Sequence, residues 1–254
     1  MDTIKINKQN TLMVAHAGLS GMETANTCAG FIAAGNRSYW AIECDLLCAK
    51  DGFVIIHNPT TADASPVELS VPDSTVEELQ AITLYDKPFF HGMESFGLST
   101  DGNGTRADLR IPTLREYINI CKKYGKICLL ELKRPMTADE ISGVIEEYKQ
   151  ENYLDGVVFI SFHRNNLDEV RRQLPGASVQ LLTAEQQIFT DEFLDELAKC
   201  GFDLDIHIFT TTKELVDRIH QRGMKVNVWT CDWLDKAEKL VEWGVDYITT
   251  NIFE

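Results

Sequence analysis

Short runs rich in β-branched and other apolar residues alternate with longer segments of helical period along most of this chain. The runs are TLMVAH, YWAIECDLLC, GKICLLELK, GVVFISF, SVQLLT, DLDIHI, KVNVWT and DYITT. Several of the helical segments begin at Thr, Asn or Asp and end at Gly, as helix caps require. Eight strands with seven intervening helices predict a parallel sheet closed into a (β/α)8 TIM barrel. An open doubly wound sheet is the alternative, although AHAGLSGMETAN matches its usual Gly-rich phosphate loop poorly.

Two departures from strict alternation modify the predicted barrel. Residues 58 to about 112 are too long for an ordinary strand-to-helix loop, so we expect an insertion after the second strand. Within it, Phe89, Phe90 and Phe96 are expected to pack the insertion onto the barrel, and DGNGTRAD is expected to form a turn. Only NIFE follows DYITT, so the last helix is predicted to be missing or vestigial. The prediction is a single barrel domain over residues 1–254.

The charge balance argues against some classes of partner. Lys and Arg number 24 against 39 Asp and Glu, a net charge of −15 that would repel nucleic acid and anionic membranes. A small anionic substrate is compatible with this charge, because it responds to the local field of a cleft and of any metal there. No run approaches the roughly 20 apolar residues of a membrane span. The seven cysteines are scattered and no secretory signal is evident, so neither a zinc site nor a disulfide framework is predicted, and a cytoplasmic location is expected.

Polar side chains occur where several of the predicted strands end. The carboxyl ends of all strands in such a barrel meet at one mouth, where the active site lies. Glu43 and Asp45 are two residues apart on the second strand and therefore share a face. Glu131 and Lys133 do the same at the end of the third strand. The side chains expected at the mouth are His16, Glu43, Asp45, His57, Glu131, Lys133 and Trp229.

Three carboxylates at one mouth predict a site for a hard divalent cation, Mg²⁺ or Ca²⁺. Taken singly, each of these groups also has an interpretation that involves no functional site. The E-x-D pair could be an exposed strand face, the histidines could be satisfied core residues, and Glu131 with Lys133 could be a surface ion pair. Trp229 could pack inside the barrel or form a wall of the substrate pocket. The ordered convergence of all these groups favours the site.

At these residues the chain resembles the glycerophosphodiester phosphodiesterase family. The matching segments are HAG, TANT, ECD, AKDG, IIHN, ELK and VWTCDWLDKAEKLVEWGVDYITTN, with IPTLREYI at the return to the barrel. They occur in the family's order from about residue 12 to the end, and the resemblance includes the insertion after the second strand. Any one motif is weak, but their order and spacing make the resemblance specific.

The resemblance implies hydrolysis of glycerophosphodiesters to an alcohol and glycerol 3-phosphate, dependent on one divalent cation, Mg²⁺ or Ca²⁺. Carried over position by position, the family's functional residues are the general acid and base His16 and His57, the metal ligands Glu43, Asp45 and Glu131, and the phosphate contact Lys133. The chemistry suits these residue types, because imidazoles titrating near neutral pH can move the protons. It stays open whether the nucleophile is a neighbouring substrate hydroxyl or water, and which histidine is the acid and which the base. The head group and the oligomeric state also stay open.

Three positions depart from the family pattern. Ala17 replaces the arginine after the first histidine, Ala25 replaces the glutamate of P-E-N-T, and Asn58 replaces the aspartate after the second histidine. An arginine offers a fork of donors suited to phosphate that alanine cannot replace. These departures motivate one alternative to the phosphodiesterase, a weak or inactive glycerophosphodiester-binding relative. A further alternative is a phospholipid-cleaving barrel resembling a sphingomyelinase D, which the absence of a signal and of a disulfide pattern disfavours.

Overall fold

The computed structural model describes residues 2–93, 104–185 and 188–254. The strands are β1 Leu12–Ala15, β2 Ala41–Cys48, β3 Phe53–Ile55, β4 Leu84–Tyr85, β5 Thr105–Arg106, β6 Ile127–Leu132, β7 Val157–Ser161, β8 Ser178–Thr183, β9 Asp203–His207, β10 Val226–Trp229 and β11 Tyr247–Thr250. The helices are α1 Cys28–Gly35, α2 Val76–Gln80, α3 Leu114–Tyr124, α4 Ala138–Gln150, α5 Arg164–Gln173, α6 Asp191–Cys200, α7 Lys213–His220 and α8 Leu234–Glu242.

The main sheet closes on itself. Its parallel strands follow the order β1, β11, β10, β9, β8, β7, β6, β2, and β2 pairs again with β1. The closing contacts place Val14 opposite Ala41, while Leu12 lies opposite Tyr247 on the other side of β1. A closed ring of eight parallel strands with helices outside is a TIM barrel, so the predicted fold class is confirmed and the open doubly wound sheet is wrong.

Alternate residues of each barrel strand face the barrel axis. Lower in the barrel these are apolar and form a small buried cluster that includes Val14, Leu129 and Leu182. The larger apolar core lies between the outer face of the strands and the helices. The same alternation turns the side chains at the carboxyl ends of the strands toward the mouth.

Threonine side chains cap most of the barrel helices, as the sequence predicted. Thr113 accepts a hydrogen bond from the backbone N–H of Glu116, whose carboxylate accepts one in return, and Thr137 forms the same capping box with Glu140. Gly125 ends α3 in the left-handed conformation. Each such N-cap contributes about 1 kcal/mol. These local signals therefore fix where the helices begin and, at α3, where the helix ends.

Residues 251–254, which follow β11, contain no helix, in agreement with the sequence prediction. Ile252 and Phe253 are buried in the larger core. Phe253 also forms a bridge with Ile4, and the Glu254 carboxylate accepts a hydrogen bond from Thr3. The N-terminal segment thus pairs with this short tail on the outside of the barrel.

The chain reverses after β2 instead of extending it. β3 runs antiparallel to β2, with Ile55 opposite Leu46, and the Ile56 N–H donates to the Asp45 carbonyl at 2.9 Å. His57 is therefore returned beside Asp45 by a hairpin and does not lie at the end of a barrel strand. The sequence placed His57 after an extension of the second strand, and the hairpin is the physical reason that it still reaches the mouth.

The segment between β3 and α3 carries α2 and the small β4–β5 ladder. Its apolar side chains form a separate cluster with the β2–β3 hairpin, in which Val71, Leu79 and Leu109 are buried. Phe90 is buried in the larger core, whereas Phe89 is 42% exposed. Phe96 and residues 101–103 of the predicted turn lie outside the described residues. Among the described residues, no helix has the length and apolar character needed to cross a bilayer.

Candidate active site

A cavity of about 190 Å³ opens at the carboxyl ends of the barrel strands. All seven side chains expected at the mouth line it, namely His16, Glu43, Asp45, His57, Glu131, Lys133 and Trp229. Asp205, which was not among the side chains expected at the mouth, also lines this cavity. Residues from opposite sides of the barrel are thus brought around one space.

Three buried carboxylates form the floor of the cavity. Glu43 and Asp45 point the same way from β2, and the β2–β6 register sets Glu131 directly beside Asp45. One carboxylate oxygen from each residue lies within 4.8 Å of the other two. The Lys133 Nζ lies 3.2 Å from both Asp45 and Glu131. Among the described residues that line the cavity, Lys133 is the one lysine or arginine.

The carboxylates carry more negative charge than Lys133 balances. Burial and the nearby Asp45 charge raise the pKa of Glu43 well above its ordinary value. The same causes raise the pKa of Glu131 to about 8. Burial also acts against ionised Asp45, but Lys133 and His57 outweigh it and lower the pKa of that carboxyl. Protons or an additional cation must compensate the remaining charge.

The donor set fits a hard divalent cation. Carboxylate oxygens are the ligands that Mg²⁺ and Ca²⁺ prefer, and Glu43, Asp45 and Glu131 present three of them within one buried space. Asp205, at 1% exposure, has an Oδ1 atom without a hydrogen-bond partner among the described residues. Burial, together with the charges of Glu43 and Glu131, raises the pKa of Asp205 well above its ordinary value. A bound cation would satisfy this surplus of buried acceptors.

The two histidines that line the cavity come from different segments of the chain. His16 follows β1, where its backbone N–H donates to the Thr250 carbonyl at 2.9 Å. The His16 Nδ1 lies 2.7 Å from the Asn251 Oδ1. The His57 Nδ1 lies 2.7 Å from the Oδ1 of its neighbour Asn58. Each imidazole therefore has one nitrogen engaged with an amide.

The family model for glycerophosphoryl diester phosphodiesterases matches residues 16–254 of this chain. The chain belongs to that family. The predicted family and the predicted enzyme class, a phosphoric diester hydrolase, are thereby confirmed.

Relatives cover nearly the whole chain. A glycerophosphodiester phosphodiesterase of Caldanaerobacter subterraneus is 28% identical over 247 residues, covering 95% of this chain and 94% of that protein. The structure of an Oleispira antarctica phosphodiesterase in complex with the product sn-glycerol-3-phosphate has a TM-score of 0.79 at 22% identity, covering 98% of this chain and 96% of that one. A glycerophosphodiester phosphodiesterase structure from Parabacteroides distasonis has a TM-score of 0.74 at 24% identity, with 95% and 93% covered. At these identities the two structures support the barrel fold.

The loop after His16 shows what the departures from the family pattern do locally. The Ala17 N–H donates to the Glu43 carboxylate at 2.6 Å, and the Ala17 carbonyl accepts from the Asn26 N–H at 2.8 Å. Asn26 in turn donates from its side chain to Asp45 at 2.6 Å. Ala25 faces a neighbouring cavity that also contains His57. The backbone of this loop thus supports the carboxylates, while neither alanine supplies a cationic phosphate contact.

Trp229 combines the two interpretations that its sequence position left open. Its indole N–H donates to the Asp205 carbonyl at 3.2 Å, and its ring packs edge-on against Phe162 and His207. It also lines the cavity, as does the half-exposed Phe162. Trp229 is therefore both a packed residue and part of the cavity wall.

Sequence reasoning missed three residues that the fold brings to the site. Asp205 shares the inward face of β9 with His207, so strand alternation in DLDIHI could have indicated it. Asn251 and Asp232 had no comparable signal, because each follows a strand in a loop and acquires its partner through long-range packing. The Asn251 side chain donates to Asp232 at 2.6 Å, and His91 from the insertion lies 3.1 Å from the same carboxylate.

The His91–Asp232 contact predicts a pH-dependent contribution to stability. The hydrogen bond that the His91 ring donates to the Asp232 carboxylate raises the pKa of His91 above the ordinary 6.5. The stabilisation is fully present below 6.5, the value in the unfolded chain, and is lost as pH rises through the higher folded value. The Tm of the wild type should therefore exceed that of His91→Gln by more at pH about 6 than at pH about 9. An equal Tm difference at both pH values, measured by thermal melts, would contradict this linkage.

Proposed function

We propose that this chain hydrolyses glycerophosphodiesters to an alcohol and glycerol 3-phosphate, with His16 and His57 as general acid and base and one divalent cation, Mg²⁺ or Ca²⁺, as cofactor. The observation that carries the proposal is the convergence of both imidazoles with three buried carboxylates and Lys133 on one cavity. Family membership supports the substrate class. We propose further that residues 1–254 act as one domain, with residues 58 to about 112 as its insertion.

The cation would be held by Glu43, Asp45 and Glu131, and when bound it would supply positive charge against the phosphate oxygens. Lys133 adds a second positive charge on the same side of the cavity, 3.2 Å from Asp45. The substrate phosphate is anionic, so both positive charges favour its binding and stabilise the further negative charge that its oxygens gain during attack. Trp229 forms the wall against which the glycerol or head group lies.

The two imidazoles divide the proton transfers. One ring removes the proton from the attacking oxygen. If that oxygen belongs to water, glycerol 3-phosphate forms directly. If it belongs to the substrate's neighbouring hydroxyl, a cyclic glycerol phosphate forms, and a second attack by water opens it to glycerol 3-phosphate. The other ring donates a proton to the leaving alcohol oxygen, so that no free alkoxide is released. Their positions on separate segments, after β1 and after the β2–β3 hairpin, allow one ring to serve the attacking side and the other the leaving side.

A substrate panel tests the proposal. Glycerophosphocholine, glycerophosphoethanolamine and glycerophosphoinositol should each be incubated with the protein, with and without chelator, and glycerol 3-phosphate release measured. We expect release that stops with chelator and returns with Mg²⁺ or Ca²⁺. Tight binding without release would support the binding-protein alternative, motivated by Ala17, Ala25 and Asn58. Cleavage of sphingomyelin or lysophospholipid alone would support the phospholipid-cleaving barrel. The expected cytoplasmic location stays a prediction.

A further inference from the structure

Both histidines of the site make the same type of contact. In each, the Nδ1 faces an asparagine Oδ1 at 2.7 Å, and the asparagine Nδ2 donates to an aspartate. The first chain runs from His16 through Asn251 to Asp232, and the second runs from His57 through Asn58 to Asp63. Two unrelated segments of the fold thus build an identical His–Asn–Asp series.

The Asp232 carboxylate decides which way the Asn251 amide points. An ionised carboxylate only accepts hydrogen bonds, so the Asn251 group 2.6 Å away from it must be the NH₂. Burial acts against ionised Asp232, but hydrogen bonds from His91 and Asn251 outweigh it and keep the pKa of Asp232 below its ordinary value. The opposite amide orientation would set two acceptor oxygens against each other. Asn251 therefore presents its carbonyl oxygen to His16.

An amide oxygen facing an imidazole nitrogen fixes the ring's tautomer. The Asn251 Oδ1 can only accept, so the His16 Nδ1 must carry the hydrogen. Ser20 is compatible with this arrangement, because its hydroxyl lies 2.5 Å from the same Oδ1 and can donate to it. The unprotonated nitrogen of neutral His16 is then the Nε2.

The second chain follows the same logic in a more open setting. Asn58 donates to Asp63 at 2.9 Å, so its Oδ1 is left to accept from the His57 Nδ1. His57 and Asp63 are exposed, whereas the Asp232 side chain is fully buried and Asn251 is 3% exposed. Water can replace hydrogen bonds at the surface but not in the buried chain. The buried chain should therefore hold its ring more firmly.

We propose that Asn251 with Asp232, and Asn58 with Asp63, are positioning pairs that hold His16 and His57 as Nδ1–H tautomers and leave Nε2 of each ring to exchange the proton with substrate. This inference rests on the proposed function of the two histidines. It also gives Asn58, a departure from the family aspartate, a definite task. In this protein the neutral Asn58 amide contacts the His57 ring, and the carboxylate stands one side chain further along the series, at Asp63.

Histidine tautomers give a readout that does not depend on activity. In ¹⁵N-histidine-labelled full-length protein, long-range ¹H–¹⁵N spectra distinguish protonated from unprotonated ring nitrogens. Recorded with and without Mg²⁺ at a pH where the rings are neutral, the spectra should show Nδ1–H for both His16 and His57. A wild-type spectrum with His16 as the Nε2–H tautomer would overturn the proposal. This result stands whatever the substrate proves to be.

The Asp232→Asn variant tests the positioning role of the buried pair. Without the carboxylate the Asn251 amide can turn over, so His16 should show mixed tautomers while His57 is unchanged. If glycerophosphodiesters are the substrates, kcat should fall on the order of 10²-fold while KM changes little, because the ring nitrogen that faces substrate is no longer fixed. His91→Gln is the matched control, since it removes another partner of Asp232 but leaves Asn251 oriented. If Asp232→Asn kept the wild-type His16 tautomer and the wild-type kcat, the positioning role of Asp232 and Asn251 would be refuted.

Two further variants test the positioning pairs even if Asp232→Asn fails to fold. Asn251→Ala removes the amide itself, and Asn58→Ala removes the exposed counterpart. We expect Asn251→Ala to lower kcat more than Asn58→Ala does, with Asp73→Asn in the insertion as an exposed control. A larger loss of kcat in Asn58→Ala than in Asn251→Ala would refute the predicted difference between the pairs. Absence of glycerol 3-phosphate release from the wild type would instead count against the proposed function alone.

Discussion

Replacing His16 or His57 by alanine is expected to lower kcat for glycerophosphodiester hydrolysis on the order of 10²–10⁴-fold, the usual contribution of a general acid or base. His16 is half-buried and His57 is exposed, so neither substitution opens a large cavity in the apolar core. Asn251 keeps Ser20 as a partner when His16 is absent. The Tm should therefore change little, and the loss should appear in turnover.

His163 supplies a matched control for these variants. It also follows a barrel strand, β7, but it is absent from the residues that line the active-site cavity. His163→Ala should retain wild-type kcat. Steady-state hydrolysis of glycerophosphocholine by His16→Ala or His57→Ala at the wild-type rate would overturn the role assigned to that residue.

Replacing Glu131 by glutamine is expected to raise the Tm in the absence of a divalent cation and to remove most of the stabilisation that the cation gives the wild type. The folded pKa of Glu131 is about 8 against an ordinary 4.5, because of burial and the nearby Asp45. Because the folded pKa lies above the unfolded value, the stability that the Glu131 carboxyl contributes to the folded protein is lost as pH rises from 4.5 through about 8. In chelator, the wild-type Tm should therefore fall over that pH window, while the Tm of Glu131→Gln should fall less and be higher at neutral pH.

Cation binding should act in the opposite direction. A ligand that binds only the folded state stabilises it by about 2.7 kcal/mol at a free concentration of 100 times Kd. Titration with Mg²⁺ or Ca²⁺ should therefore raise the wild-type Tm, and Glu131→Gln should lose most of that rise together with its activity. Glu242→Gln, on the exposed surface of α8, controls for removal of one negative charge. An equal cation-induced rise in Glu131→Gln and wild type would exclude Glu131 as a ligand.

The barrel was predictable because its signals are local and repeated. Strand runs alternate with amphipathic helices, and Thr113 and Thr137 mark helix starts within four residues of chain. The hairpin that returns His57 was not predicted, because the polar segment AKDG between its strands was interpreted only as a family motif and FVIIH as an extension of the second strand. The reversal is shown by the pairing of Ile55 with Leu46.

The candidate site was predictable to a smaller extent. Glu43 and Asp45 share a face by strand period alone, and the family motifs pointed to both histidines. Asp232 and Asn251 lie within the family-like segment VWTCDWLDKAEKLVEWGVDYITTN, but nothing there singled them out, since an aspartate or asparagine in a loop is ordinary. Asn251 meets His16 across a separation of 235 residues. No local pattern can report a contact of that kind.

Side-chain period and capping act over a few residues, so local sequence sets the order of strands and helices, the helix caps and the polar residues at strand ends. Three features follow from packing between distant segments instead. They are the closure of the ring, the proximity of Glu43, Asp45, Glu131 and Asp205 in one buried space, and the amide orientations beside His16 and His57. The physical reason is that pKa shifts and tautomers depend on which charges and acceptors lie within a few ångströms. Residues far apart in the chain become such neighbours only when the barrel closes.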